Sequence, residues 1–198
     1  HGHHRRQRQM CIRDSLLGLR ELGFTRIFEH LKTIEDPVIV ETGTVRKENS
    51  FEGDGCSTVL FDHFVGTQGG TLISVDIDPA ACKIADKLTT YAEIVEADSV
   101  EYLATLDGKV DLLYLDSFNI YNWLDDWKAS AHHLKEIFAA KNVIKEGTLI
   151  VVDDNLYVPN SEDSKRKSGK GRIIHELMQS IGISTVSYTH LTLPTMMS

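Results

Sequence analysis

Hydrophobic spacing along the chain switches repeatedly between a helical and an extended period. From Leu16 to Ile34 the apolar positions fall at helical intervals, with Leu19, Leu22, Ile27 and Leu31 among them. A short β-branched run, Val38 to Val40, follows and is stopped by Gly43. Cys56 or Ser57 can open the next helix, in which Val59, Leu60, Phe64 and Val65 suit a face packed on a sheet. Thr71 to Ile77 reads as a strand. Its following helix begins at Pro79, where proline's fixed φ and missing N–H cost nothing. The segment EIVEA then precedes a helix over Ser99 to Leu106, and KVDLLYLD is a nearly continuous apolar strand. Leu124 to Val143 reads as a long helix, EGTLIVVDDN closes the strand series, and a last helix spans about Gly171 to Ile181 after a polar loop.

Strands that alternate with helices, and are apolar on both faces, belong in a sheet covered on both sides. The expected fold is therefore α/β, a doubly wound and mostly parallel sheet, with no internal repeat and no second domain. Ligands of such sheets sit beyond the carboxyl ends of the strands. Glu41, Gly43, Asp76, Asp116, Asp154 and Asn155 all fall at such ends.

Composition narrows the function classes. At 198 residues, 41% hydrophobic and 25% charged, the chain matches one globular domain with enough apolar material for a core. A formal charge of −8 opposes a general nucleic-acid binder, which needs a basic face for phosphates. No apolar run reaches membrane-spanning length. Cys11, Cys56 and Cys82 include no CxxC pair, which points to a reduced, cytoplasmic setting without a disulfide framework or zinc cluster. The ends differ from the rest: residues 1–15 are basic and aperiodic, and residues 186–198 carry no Lys, Arg, Asp or Glu. Both resemble translated sequencing-adapter ends found on conceptual proteins from metagenomic assemblies. They are set aside as a foreign or disordered head and tail around a domain over 16–185.

The glycines after the first strand raise the question of the ligand. A dinucleotide turn would read GxGxxG in one tight loop, but Gly43 is separated from Gly55 by a polar insertion, Val45 to Asp54, that contains Gly53. That insertion is either a lid, with Arg46, Lys47 and Phe51 near the entrance, or a solvated excursion. What the chain resembles is the class I S-adenosylmethionine-dependent methyltransferase family, through Glu41-Thr42-Gly43-Thr44 at the end of the first strand and SVDIDP at the end of the second. The resemblance covers roughly Val38 to Ile181 and implies a Rossmann-like methyltransferase fold. It implies a cofactor site made by Glu41, Gly43, Thr44, Gly55, Ser57, Asp76, Asp98 and Ser99. Asp76 would accept both ribose hydroxyls, Gly43 and Gly55 would let backbone approach the amino-acid tail, and Glu41 would support that loop and the ammonium end. Asp98 and Ser99 match the adenine-edge position. The ordinary alternative for Asp76 or Asp98 is a helix N-cap.

A second group sits at the fourth and fifth strand ends. Asp116, Asp154 and Asn155 offer two carboxylates and an amide, a hard-oxygen set suited to Mg²⁺ or another divalent cation, with Asp153 as the ligand if the register slips by one. Helix caps and loop hydrogen bonds are the other use of such residues. The pattern resembles the metal-dependent catechol O-methyltransferase branch, which implies a catalytic and metal-binding role for all three. One departure is plain: that branch has a Lys three residues beyond the first Asp as general base, and here the position is Asn119, which cannot take a proton usefully. Tyr121, Trp123 and Trp127 line an acceptor pocket or pack in the core, and His63, His132 and His133 read as surface or packing residues. Lys165 to Lys170 reads as a solvated basic loop or as a clamp for an anionic substrate.

The expected function is an S-adenosylmethionine-dependent O-methyltransferase, assisted by a divalent cation and acting on a small hydroxylated acceptor. The other readings are an NAD-dependent oxidoreductase on the same architecture and a catalytically inactive cofactor-binding module. The family's sheet ends in an antiparallel hairpin, which this chain is expected to lack; the exposed sheet edge would then favour a homo-oligomer.

Overall fold

The structure, a computed structural model, describes residues 20–48, 56–121, 123–157, 167–182, 184–188 and 191–195. Helix α1 (Glu21–Leu31) leads into β1 (Val38–Thr42), and α2 (Ser57–Gln68), β2 (Thr71–Asp76), α3 (Pro79–Leu88), β3 (Glu93–Glu96), α4 (Ser99–Thr105) and β4 (Leu112–Leu115) alternate after it. Then come α5 (Trp123–Ala139), continued by a 3₁₀ turn at Ala140–Asn142, and β5 (Leu149–Val152). A small hairpin of β6 (Asn155–Tyr157) and β7 (Lys167–Gly169) precedes α6 (Arg172–Ser180), β8 (Ser184–Tyr188) and β9 (Leu191–Thr195). The main sheet runs β3-β2-β1-β4-β5-β9-β8, with its first five strands parallel and β9 and β8 antiparallel. This is the expected doubly wound α/β fold, and its strand order reverses between β1 and β4.

The expected loss of the closing hairpin is corrected: β8 and β9 pair over five residues each and extend the sheet beyond β5. STVSY and LTLPT are rich in β-branched and apolar residues and are separated by only two residues, the pattern of a hairpin. Setting 186–198 aside as foreign hid that signal. Residues 1–15, at the other end, lie outside the described residues.

Alternation along the central strands divides the core between two layers. Ile39, Leu72, Leu112, Tyr114 and Val151 face α1 and α2, where Phe24, Ile27, Leu31, Phe61 and Phe64 pack on them. Val40, Leu113, Leu115, Ile150 and Val152 face the opposite way, against Leu103, Ile137, Ala140 and Ile174. Truncating one such residue, as in Ile39→Ala, would cost about 2 to 5 kcal/mol through lost transfer energy and a residual cavity. The buried stripe of α1 is Phe24, Ile27 and Leu31, so its face is set by the i, i+3, i+7 positions, and Leu22 is exposed.

Two polar devices pin elements to this core. Asp62 on α2 is buried, and its Oδ1 accepts from the backbone N–H groups of Thr90, Tyr91 and Ala92 at 3.0, 2.7 and 2.9 Å, fixing the turn into β3. At the start of α1, Arg20 donates to Asp153 and, at 3.0 Å, to the Tyr114 hydroxyl, which itself donates to Asp153 at 2.7 Å. All three side chains are buried. Burial pushes the Tyr114 phenol well above its usual range, as does the neighbouring Asp153 carboxylate.

Candidate active site

The carboxyl ends of β1, β2 and β4 open onto a cavity of about 440 Å³. Its wall includes Gly43 and Thr44 after β1, Asp76 and Asp78 after β2, Asp98 and Ser99 after β3, and Asp116 to Asn119 after β4, with Arg46 and His132 beside them. Five of the expected cofactor residues, Gly43, Thr44, Asp76, Asp98 and Ser99, are therefore brought to one cavity. Gly55 lies outside the described residues, as do Gly53 and Phe51 of the insertion.

Gly43 is required by its surroundings. Its φ is +81°, and an added Cβ would stand 2.6 Å from the Asp116 carbonyl oxygen, far inside contact distance. The loops leaving β1 and β4 thus touch at this residue; Asp116 N–H donates to Thr42 O on β1, and Gly43 N–H donates to Val75 O on β2, both at 2.8 Å. Asp76 anchors the same loop: one carboxylate oxygen accepts from Thr44 N–H at 3.0 Å and the other from Asp78 N–H at 2.9 Å. It caps no helix. That work falls to Asp78, which accepts from Ala80 N–H and starts α3, and to Asp98, which accepts from Glu101 N–H and starts α4. Asp98 is therefore a helix cap, the ordinary alternative, that also lines the cavity.

Glu41 and Ser57 do not line this cavity. Glu41 is fully buried beneath the loop, accepts from Ser74 Oγ at 2.6 Å through Oε2, and has no hydrogen bond at Oε1. Burial pushes its carboxyl up to about 7, against the opposing pull of the Ser57, Ser74 and Thr58 hydroxyls. Thr58 in turn accepts from Val45 N–H at 2.9 Å. The loop residue Val45 is thus tied to α2 through Thr58, while the Glu41 carboxylate is tied to β2 through Ser74.

Residues that the sequence assigned to packing or surface form the far wall. His132 faces the cavity, its Nε2 3.2 Å from Ser99 Oγ and 3.3 Å from Glu136 Oε1. Ser99 donates to that same oxygen of the buried Glu136 at 2.5 Å, and Ser117 does so at 2.7 Å. Burial alone would raise the Glu136 carboxyl, but His133 and the hydrogen bonds from His132, Ser99 and Ser117 hold it below its usual range. His133 is fully buried, as expected of a packing residue, and burial pushes its imidazole down. The i, i+4 spacing of His132 and Glu136 on α5 was visible in sequence; which face of α5 meets the site was not.

The expected metal ligands come together around another residue. Lys170 is 2% exposed, and its ammonium lies 2.6 Å from Asp116 Oδ1, 3.1 Å from Asp116 O and 3.0 Å from Asp154 Oδ2. Burial lowers its proton affinity, yet Asp116 and Asp154 more than offset this and raise it above the usual lysine range. Asn155 turns away: Nδ2 donates to Val152 O at 2.6 Å, and Oδ1 accepts from Gly171 N–H at 2.7 Å. Asp153 is engaged by Arg20 and Tyr114. Among the described residues no group of three or more His, Cys, Asp or Glu side chains is arranged to hold a metal ion. The residues as placed do not fit a divalent cation, because an ammonium already occupies the point between Asp116 Oδ1 and Asp154 Oδ2 and the amide oxygen is spent on backbone. Lys170 belongs to neither a solvated loop nor a substrate clamp.

At the cavity rim, Arg46 donates to Asn119 Oδ1, and Asn119 Nδ2 donates to the Tyr121 hydroxyl at 2.9 Å. Phe118 lines the cavity and Tyr121 is 82% exposed beside it. Trp127 is elsewhere, stacked under the Arg172 guanidinium at 4.1 Å. The Trp123 side chain lies outside the described residues.

A family model described as a methyltransferase domain matches residues 52–155. The chain belongs to this methyltransferase family. Its fold is that of the class I S-adenosylmethionine-dependent methyltransferases, and the family does not favour the oxidoreductase reading. Solved structures agree on the fold. The MycE methyltransferase of the mycinamycin biosynthetic pathway, in complex with Mg and SAH, matches with a TM-score of 0.58 at 15% identity, over 90% of this chain and 53% of that one. The SAH-bound methyltransferase PaMTH1 of Podospora anserina matches with a TM-score of 0.58 at 13% identity, over 90% of this chain and 79% of that one. Aeropyrum pernix fibrillarin with bound S-adenosyl-L-methionine matches with a TM-score of 0.54 at 15% identity, over 83% and 69%. The methyltransferase thus spans about half the length of the MycE chain. No curated protein matches its sequence. Among its described residues no helix is long and apolar enough to cross a membrane.

Proposed function

We propose that this methyltransferase moves a methyl group from the sulfonium of S-adenosylmethionine to an oxygen of a small hydroxylated acceptor. The observation that carries the reading is the single cavity joining the β1 glycine loop, Asp76 and the Asp98–Ser99 turn to a rim of Phe118, Asn119 and Arg46. S-adenosylmethionine offers a ribose diol, an amino-acid tail and a sulfonium but no phosphate, so its site needs carboxylate acceptors and close backbone. Asp76 supplies the acceptor for the diol, already oriented by two N–H groups. Gly43 and Thr44 meet the tail. Asp98 and Ser99 receive the adenine edge, with His132 behind Ser99.

Transfer is a direct displacement. Bound S-adenosylmethionine would supply a methyl carbon open to attack, the oxygen–carbon bond forming as the carbon–sulfur bond breaks, with S-adenosylhomocysteine as the leaving group and the hydroxyl proton passing to a base or to water. Asn119 cannot be that base. Asp116 lines the cavity and its carboxylate meets Lys170 through Oδ1 alone, so its other carboxylate oxygen is the group assigned to take the acceptor's O–H hydrogen bond. The phenyl ring of Phe118 and the exposed Tyr121 favour an aromatic acceptor. The formal charge of −8 favours a small molecule over a nucleic acid.

The test is incubation of the full chain with S-adenosylmethionine carrying a labelled methyl group and panels of phenols, amines and thiols. Label recovered as a methyl ether supports the reading. Label recovered only on nitrogen or sulfur, or cofactor binding without any transfer, contradicts it.

A further inference from the structure

The loop that delivers Lys170 is built to put an ammonium at one point. Gly169 has φ +102°, and a Cβ there would meet the Asp154 carbonyl oxygen at 2.1 Å; a Cβ on Gly171 would meet Asn155 Oδ1 at 2.4 Å. Glycines on both sides therefore let Lys170 enter between the ends of β4 and β5. Asp154 itself adopts φ +50°, a conformation that Asp tolerates better than most residues. The loop is also tied from outside. Gly169 N–H donates to Asp126 on α5, and Lys170 N–H donates to Asp154 O at 3.3 Å.

The ammonium has three protons and meets three oxygens, at 2.6, 3.0 and 3.1 Å. Its donors are therefore all spent within the protein. The neighbourhood holds three carboxylates, Asp116, Asp153 and Asp154, and two cations, Arg20 and Lys170, with Arg20 on Asp153 and Lys170 on the other two. A divalent cation needs oxygens at about 2.0 to 2.6 Å and would have to expel this ammonium from a 2% exposed position.

We propose that Lys170 is the resident cation of a strand-end carboxylate site, standing where a divalent metal could otherwise bind, so that this chain fixes Asp116 and Asp154 without a metal. The consequence is specific. Removing the ammonium while keeping the carboxylates leaves two charges and the Asp116 carbonyl converging on one vacancy, which a hard divalent cation can fill. The inference stands on this geometry and goes beyond the methyl-transfer reading.

The experiment titrates Mn²⁺ into the full chain after chelator treatment, followed by electron paramagnetic resonance, for wild type, Lys170→Met and the double variant Lys170→Met/Asp116→Asn. S-adenosylhomocysteine binding is scored separately, so loss of the methyltransferase reading would show there alone. Wild type should show no saturable Mn²⁺ binding below roughly 1 mM. Lys170→Met should bind at least about tenfold more tightly, and the double variant should lose the gain. Saturable wild-type binding that Asp116→Asn removes would overturn the proposal, as would a folded Lys170→Met that binds no better than wild type. If Lys170→Met does not fold, the melting temperature of wild type decides: indifference to chelator and to added Mn²⁺ supports an internal cation, and a rise with Mn²⁺ refutes it.

Discussion

Replacing Glu41 by Gln should change how stability depends on pH. Glu41 is fully buried and its carboxyl is pushed up to about 7 in the folded protein, from an ordinary 4.5. Its folded state therefore holds a proton that the unfolded state releases between these values. The sign follows: as pH rises from about 4.5 to about 7 the unfolded chain gains relative stability, and above 7 the loss is complete. At about 1.4 kcal/mol per pH unit, the interval corresponds to roughly 3 kcal/mol. Gln resembles the protonated acid and keeps an oxygen for the Ser74 hydroxyl, 2.6 Å away in wild type. Urea unfolding at steps between pH 4.5 and 8, followed by circular dichroism, measures the effect. The variant should gain on wild type by about 3 kcal/mol across that range, levelling off above neutrality. A difference between the two proteins that does not vary with pH would refute the argument, because it would mean that Glu41 ionises as freely in the fold as outside it.

Two other substitutions probe the same construction. Asp62→Ala removes the acceptor of three backbone N–H groups at Thr90 to Ala92; a loss of about 3 kcal/mol is expected, read as a lower urea midpoint with faster amide exchange at those residues. Gly43→Ala forces a Cβ to 2.6 Å from the Asp116 carbonyl at a φ of +81°; S-adenosylhomocysteine affinity should fall by about tenfold or more, and calorimetry on folded variant would show no change if the loop were free to move.

The parts of the fold legible in sequence were those written in local period. Strands β1 to β5 and helices α2 to α6 match the expected segments, with β1 running two residues past Val40 and α5 starting one before Leu124, because alternation of apolar runs with amphipathic ones needs no knowledge of partners. Gly43 and Asp76 were legible because a strand end followed by glycine or acid carries its meaning in order alone. Lys170 was not: its partner Asp116 is 54 residues away, and only folding turns a basic stretch into a buried ion pair. His132 and Glu136 failed for a related reason, since helical spacing shows that two residues share a face but not what that face meets. The hairpin of β8 and β9 has an ordinary strand pattern, but its two short strands lie in and beside a terminal stretch without Lys, Arg, Asp or Glu, which by composition alone reads as a tail.

The measurement closest to the central claim is calorimetric titration of S-adenosylhomocysteine into the full chain and into Asp76→Ala, with NAD as the comparison ligand. Asp76 lines the cavity and is the acceptor assigned to the ribose diol. Its loss should weaken binding by about tenfold or more, since a hydrogen bond to a charged group contributes about 1.5 to 3 kcal/mol. The account predicts one saturable S-adenosylhomocysteine site in wild type, weakened in a folded Asp76→Ala, and no competing NAD site. Equal affinity in the two proteins, or NAD binding in place of S-adenosylhomocysteine, would contradict it.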